Sequence, residues 1–127
     1  MFSFHSDRYF TIFDVRISHR QVLLRSQKDE IHPENMDIIF FDTDFIQSGI
    51  NLFGLTIREF ILDEALSHPF ENLAYKGQSS RGFLLETADN SFFMIAHSCK
   101  VFTNKLDFSE SSLDFRYDKG GEVSSSS

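Results

Sequence analysis

Two pairs of adjacent phenylalanines, Phe40-Phe41 and Phe92-Phe93, set the strongest limit on how this chain folds. Each pair sits in an apolar run, IIFF at 38–41 and FFMIA at 92–96. Neighbouring residues on a strand project to opposite faces, so each pair puts a ring on both sides of a sheet. Such strands need cover on both faces, from a second sheet layer, a helix or another copy of the chain. Intramolecular packing and homodimerisation are both expected routes to that cover.

The same emphasis runs through the composition. The chain of 127 residues has 16 Phe and no Trp. Each buried Phe removes on the order of 150–250 Å² from water. Hydrophobic residues make up 41% and charged residues 24%, which excludes wholesale disorder. The length suits one domain rather than two. We place the domain at 1–117, with 118–127 (DKGGEVSSSS) as a flexible Gly/Ser-rich tail.

Alternation predicts a strand over Tyr9–Ser18 and a hairpin partner at Val22–Arg25. Ser26–Asn35 contains Pro33 and reads as a loop. Further strands are expected around Ile38–Phe41, at Leu52–Ile57, Gly82–Thr87, Ser91–Ser98 and Lys100–Leu106, with a short last one at Leu113–Tyr117. Ala88–Ser91 supplies a tight turn. Thr56-Ile57-Arg58-Glu59 has capping-box form, and Ile57, Phe60, Ile61, Ala65 and Leu66 follow helical spacing. This predicts a helix over 57–67, stopped by His68-Pro69. Glu71–Ser80 reads as irregular. The expected fold is mainly β (α+β), a single-domain antiparallel sheet in a two-layer sandwich or open barrel, with at most one or two short helices.

Charge is unevenly placed. The net charge is −7, yet residues 1–28 hold five Lys/Arg against two Asp/Glu, while residues 29–71 hold one against ten. An acidic total repels phosphate backbones, so nucleic acid is not expected as a partner. The longest apolar run is far short of a membrane span. The lone Cys99 and the absence of a basic–apolar signal at residues 1–10 suit a reducing, cytoplasmic compartment.

Asp42-Thr43-Asp44 follows the apolar run 38–41. Carboxylates at i and i+2 share a strand face and are able to hold a hard cation together. The order resembles haloacid-dehalogenase-type phosphatases, and metal-dependent glycosyltransferases also use D-x-D. Phe45 and Ile46, however, stand where the phosphatase motif wants a small turn residue and then Thr or Val. Neither class fits so short a chain with so little βαβ patterning. Gly49–Thr56 mimics a phosphate loop, but Leu55 stands where its Lys belongs, so both glycines read as turn residues. His97 and Cys99 share one expected face with Phe93, Ile95 and Val101, which is a core pattern. Arg16, His19, Arg20 and Arg25 form a basic cluster for which the acidic segment offers partners.

These readings favour a non-enzymatic, small acidic binding or regulatory protein that docks a basic protein partner, without a cofactor. Its size and charge are those of immunity or inhibitor proteins, a likeness of composition only. Glu34, Asp37, Asp42 and Asp44 are the expected docking residues. The first alternative is a divalent-metal module or metal-dependent enzyme centred on Asp42 and Asp44, with His97 as a third ligand. The second is a structural homo-oligomer subunit.

Overall fold

The computed structural model describes residues 1–60 and 81–126. Among the described residues there are seven strands: β1 (Ser3–Arg16), β2 (Gln21–Ser26), β3 (Asn35–Ile46), β4 (Asn51–Phe60), β5 (Arg81–Glu86), β6 (Ser91–Asn104) and β7 (Gly121–Ser125). All pairings are antiparallel, in the order β3-β2-β1-β4-β5-β6-β7. A further pairing of β3 with β6, from Asn35–Asn104 to Ile46–Met94, joins the two sides of that order. The first six strands therefore close into a barrel, which removes most sheet edges.

Alternation fills the barrel. Phe10, Val22, Leu24, Ile38, Phe40, Leu52, Leu55, Ile57, Phe83 and Leu85 point inward, joined by Met94, Ala96, Cys99 and Val101 of β6. Phe83 packs edge-on against Phe40 and Phe2. Truncating a buried ring such as Phe40 to Ala costs roughly 3–5 kcal/mol.

The other half of each Phe pair is covered from within the chain. Leu23, Ile39 and Phe102 form a second cluster on the outer face of β2-β3-β6, with Phe13 and Phe41 against it. Leu113, from the excursion 105–120 between β6 and β7, lies over them. Phe92 packs on the inner core, whereas Phe93 meets the rings of Phe45 and Phe60.

Several expectations need correction. Ile57–Phe60 belongs to β4 and not to a helix, because Ile57 pairs with Leu85 and Phe60 with Gly82; the rest of that expected helix and 71–80 lie outside the described residues. The two strands expected at 91–98 and 100–106 are one continuous β6. Leu113–Tyr117 forms turns rather than a strand. Of the stretch read as a tail, 121–125 is β7. It occupies the edge of β6 beyond the reach of β5, and Ser126 extends it with backbone and hydroxyl bonds to Cys99. Gly54 is not a turn residue; its left-handed conformation (φ 70°) faces a bulge in β1. Among the described residues, no helix is long and apolar enough to cross a membrane.

Candidate docking site

The four expected docking residues separate. Asp37 points to the outer face of β3, directly opposite Arg25 of β2. Both side chains are fully buried, with Arg25 Nε 2.7 Å from Oδ1 and Nη2 2.8 Å from Oδ2. Asp37 Oδ2 also accepts from Asn104 Nδ2 (2.9 Å) and Ser112 Oγ (2.6 Å). Arg25 Nη1 donates to the Glu110 carbonyl (2.7 Å), and its guanidinium lies 4.2 Å from the Phe13 ring centre. Asn35 Nδ2 continues the chain of bonds to Asn104 Oδ1 and the Leu106 carbonyl. Ser112, Glu110 and Leu106 all belong to the excursion, so the network fastens it to the barrel wall. A buried charge is tolerated only when paired and bonded in this way. Asp37 therefore holds the fold together and faces no solvent.

Glu34 is half-buried before β3, and its carbonyl accepts from Arg8 Nη2 at 2.9 Å. Asp42 lies towards the other end of the strand, roughly 26 Å from Glu34 at strand rise, and Asp44 two residues beyond it. There the backbone departs from ideal geometry. Arg20, closing the turn after β1, and Asp42 are the two non-glycine residues with positive φ among those described, at 51° and 50°. The Thr43 N–H donates to the Arg20 carbonyl (2.8 Å), tying turn and strand together. Asp44 is the extra residue of a bulge against β6, since Thr43 pairs with Ala96 but Phe45 with Ile95. Bulges re-aim side chains; here both carboxylates meet one guanidinium, Arg20 Nη1 to Asp44 Oδ1 at 2.8 Å and Nη2 to Asp42 Oδ1 at 3.4 Å.

A cleft of about 330 Å³ opens beside this corner, lined by Val15, Ile17, Val22, Phe45 and Ile46 with Arg20 and Asp44 among its polar groups. Ile17 is 80% exposed, and Val15 and Ile46 are partly so. The result is an apolar hollow with Arg20 and Asp44 at its rim and Asp42 bonded to the same guanidinium. Composition showed the acidic segment, but exposure of Ile17 follows from a 3-10 turn that the expected strand over 9–18 did not anticipate.

The metal alternative receives a cation from the chain itself. Arg20 stands on both Asp42 and Asp44, and His97 is exposed opposite Asp42 in the β3–β6 register. Among the described residues, no three His, Cys, Asp or Glu side chains gather in a manner able to hold a metal. His97 and Cys99 do not share a face: Ala96 and Cys99 both point inward, so the alternation changes parity across His97-Ser98. Burial pushes the Cys99 thiol well above its ordinary value, which leaves it un-ionised at neutral pH.

The arginines of the basic cluster are likewise internally matched. Arg16 pairs with Asp14 at 2.8 Å, Arg20 with Asp44 and Arg25 with Asp37. Burial alone would raise the Asp14 carboxyl, but the Ser111 hydroxyl and the Arg16 guanidinium outweigh it and hold the group below its ordinary value. Comparison with protein-family models, curated proteins and solved structures finds no match for this chain.

Proposed function

We propose that this chain is a non-enzymatic binding protein of the inhibitor or immunity kind, and that its cleft between the β1–β2 turn and the end of β3 docks a basic protein partner. The observation that carries this reading is the exposed Ile17 on a cleft that Arg20 and Asp44 also line, with the exposed Asp42 bonded to the same guanidinium. An apolar side chain of the partner fills the hollow, and a neighbouring Lys or Arg meets Asp42. Apolar anchors supply most of the affinity in such contacts, while the charges steer encounter and select the partner. The net charge of −7 acts in the same direction over longer range.

The test begins with affinity purification from the source organism and continues with titration of the purified partner. Ile17→Asp and Asp42→Asn alter exposed side chains, and Asn shares the tolerance of Asp for the left-handed backbone at 42, so their melting temperatures should stay close to that of the wild type. Each should weaken binding by roughly tenfold or more, and affinity should fall as salt rises. A partner indifferent to both substitutions and to salt contradicts the assignment.

A further inference from the structure

Six of the seven arginines are paired with a carboxylate: Arg16 with Asp14, Arg20 with Asp44, Arg25 with Asp37, Arg58 with Glu86, Arg81 with Glu59 and Arg116 with Asp114. Arg8 is the exception, with no carboxylate partner among the described residues. Its Nε donates to Ser26 Oγ (3.0 Å), and its Nη2 is shared among the carbonyls of Ser26, Gln27 and Glu34 at 3.2, 3.3 and 2.9 Å. These acceptors fix the guanidinium without neutralising it. Burial lowers the Arg8 pKa, with the charges of Asp29 and Asp37 opposing that effect from farther off. Nη1 has no acceptor among the described residues, and no buried side-chain nitrogen or oxygen there lacks a partner. Nη1 is therefore open to solvent.

The strand is shaped to present this group. Ser6 pairs with Leu55 but Tyr9 with Phe53, so Asp7 and Arg8 together oppose the single residue Gly54. That bulge turns Arg8 away from the regular alternation. The side chain reaches a cleft of about 290 Å³ at the opposite end of β2 from the proposed docking cleft. Lys28, His32, Tyr9 and Thr11 also line it, as does Asp29. Lys28 Nζ donates to the Lys105 carbonyl at 2.7 Å and stands 3.6 Å from Asp107. The Asp29 carboxylate is engaged locally, accepting from the Ile31 and His32 N–H groups at 2.9 and 2.6 Å, with His32 Nδ1 at 3.4 Å. Arg25 borders the same cleft, already neutralised by Asp37.

From the bulge, the immobilised guanidinium and the neighbouring lysine and histidine, we infer that this cleft binds a small oxyanion, a phosphate or a carboxylate, through Arg8 Nη1 and Lys28. A guanidinium already fixed by its other nitrogens loses little freedom when it donates to such an anion. The two anion classes share this chemistry, and separate titrations distinguish them. Uniformly labelled protein is titrated with inorganic phosphate and, in a second series at matched ionic strength, with acetate. Saturable shifts should appear at the Arg8 side chain and at the backbone amides of 27–32. Lys28→Gln and His32→Gln, both at partly exposed positions, should each weaken binding, Lys28→Gln by roughly tenfold. Arg8→Lys should abolish it, and Arg116→Gln should leave it unchanged. Saturation by phosphate alone identifies a phosphoryl ligand, and saturation by both identifies a general oxyanion site. Linear, unsaturable shifts with both anions, or affinity unaffected by Lys28→Gln and His32→Gln, overturn the inference whether or not Arg8→Lys folds.

Discussion

Arg25 and Asp37 face each other in register across β2 and β3 and exchange two hydrogen bonds of 2.7 and 2.8 Å, with both side chains fully buried. The pair sits beneath the excursion 105–120, and the same carboxylate holds Asn104 and Ser112. Asp37→Ala should lower stability by about 3–5 kcal/mol in urea unfolding, because it strands a buried guanidinium. The double change Arg25→Met, Asp37→Leu should not recover the loss. Asn104 and Ser112 would still lack their acceptor, at roughly 1–3 kcal/mol for each unsatisfied group. A double variant as stable as the wild type would show that the network contributes nothing beyond its ion pair.

Gly120 and Gly121 lie side by side where the excursion enters β7, yet they differ in what they tolerate. Gly120 has φ 95°, and a Cβ there would collide with the Thr103 carbonyl. Nothing lies within 4 Å of a Cβ placed on Gly121. Gly120→Ala should therefore destabilise by roughly 1–3 kcal/mol, the cost of a strained left-handed residue. Gly121→Ala should be close to neutral. Equal losses in paired thermal melts would refute this reading of the turn.

The Arg116 guanidinium, through its side-chain bonds, and the Arg116 N–H hold the Asp114 carboxyl at about 2, below its ordinary 3.8. A carboxyl depressed on folding contributes stability above its unfolded pKa and loses it as pH falls through the folded value. The contribution should be intact above about pH 4 and fade towards pH 2. Asp14, also lowered, acts in the same direction. In Arg116→Gln the Asp114 titration, followed by carboxyl-carbon NMR, should move up towards the ordinary value. The drop in melting temperature between pH 4 and 2 should shrink with it. An unmoved titration contradicts the assigned cause.

Cys99 is fully buried inside the barrel, and its thiol is raised well above the usual value. Alkylating reagents at pH 8 should leave the folded protein unmodified and label one thiol per chain in urea. Rapid labelling without denaturant would show that the barrel wall at β6 opens readily.

The legible parts of the fold were those carried by local alternation. The strand expected over 9–18 beside Val22–Arg25 pointed to the β1–β2 hairpin, although a bulge at Phe13 and the 3-10 turn at Ile17 break its single apolar face, and Ala88–Ser91 pointed to the turn before β6. The Phe40-Phe41 pair correctly demanded cover on both faces, although only the structure shows that 105–120 supplies it at Phe41. What sequence patterns missed depends on distant neighbours. Two strands are expected over 91–98 and 100–106, yet β6 runs unbroken because β3 pairs along it while β5 and then β7 share its other edge. A Gly/Ser-rich segment reads as a tail until that edge is available to it. Asp37 looked like one more exposed acid, since nothing local reveals that Arg25 stands opposite. Asp42 and Asp44 were singled out as carboxylates, but their partner Arg20 lies 22 and 24 residues away in the chain.

The central claim is that the partner occupies the cleft between the β1–β2 turn and the end of β3. Hydrogen exchange of the complex, set against the free protein, tests it most directly. The account predicts new protection concentrated at Ile17–Val22 and Thr43–Ile46, and loss of that protection in Ile17→Asp. Protection confined to other strands, or unchanged in Ile17→Asp, would contradict it.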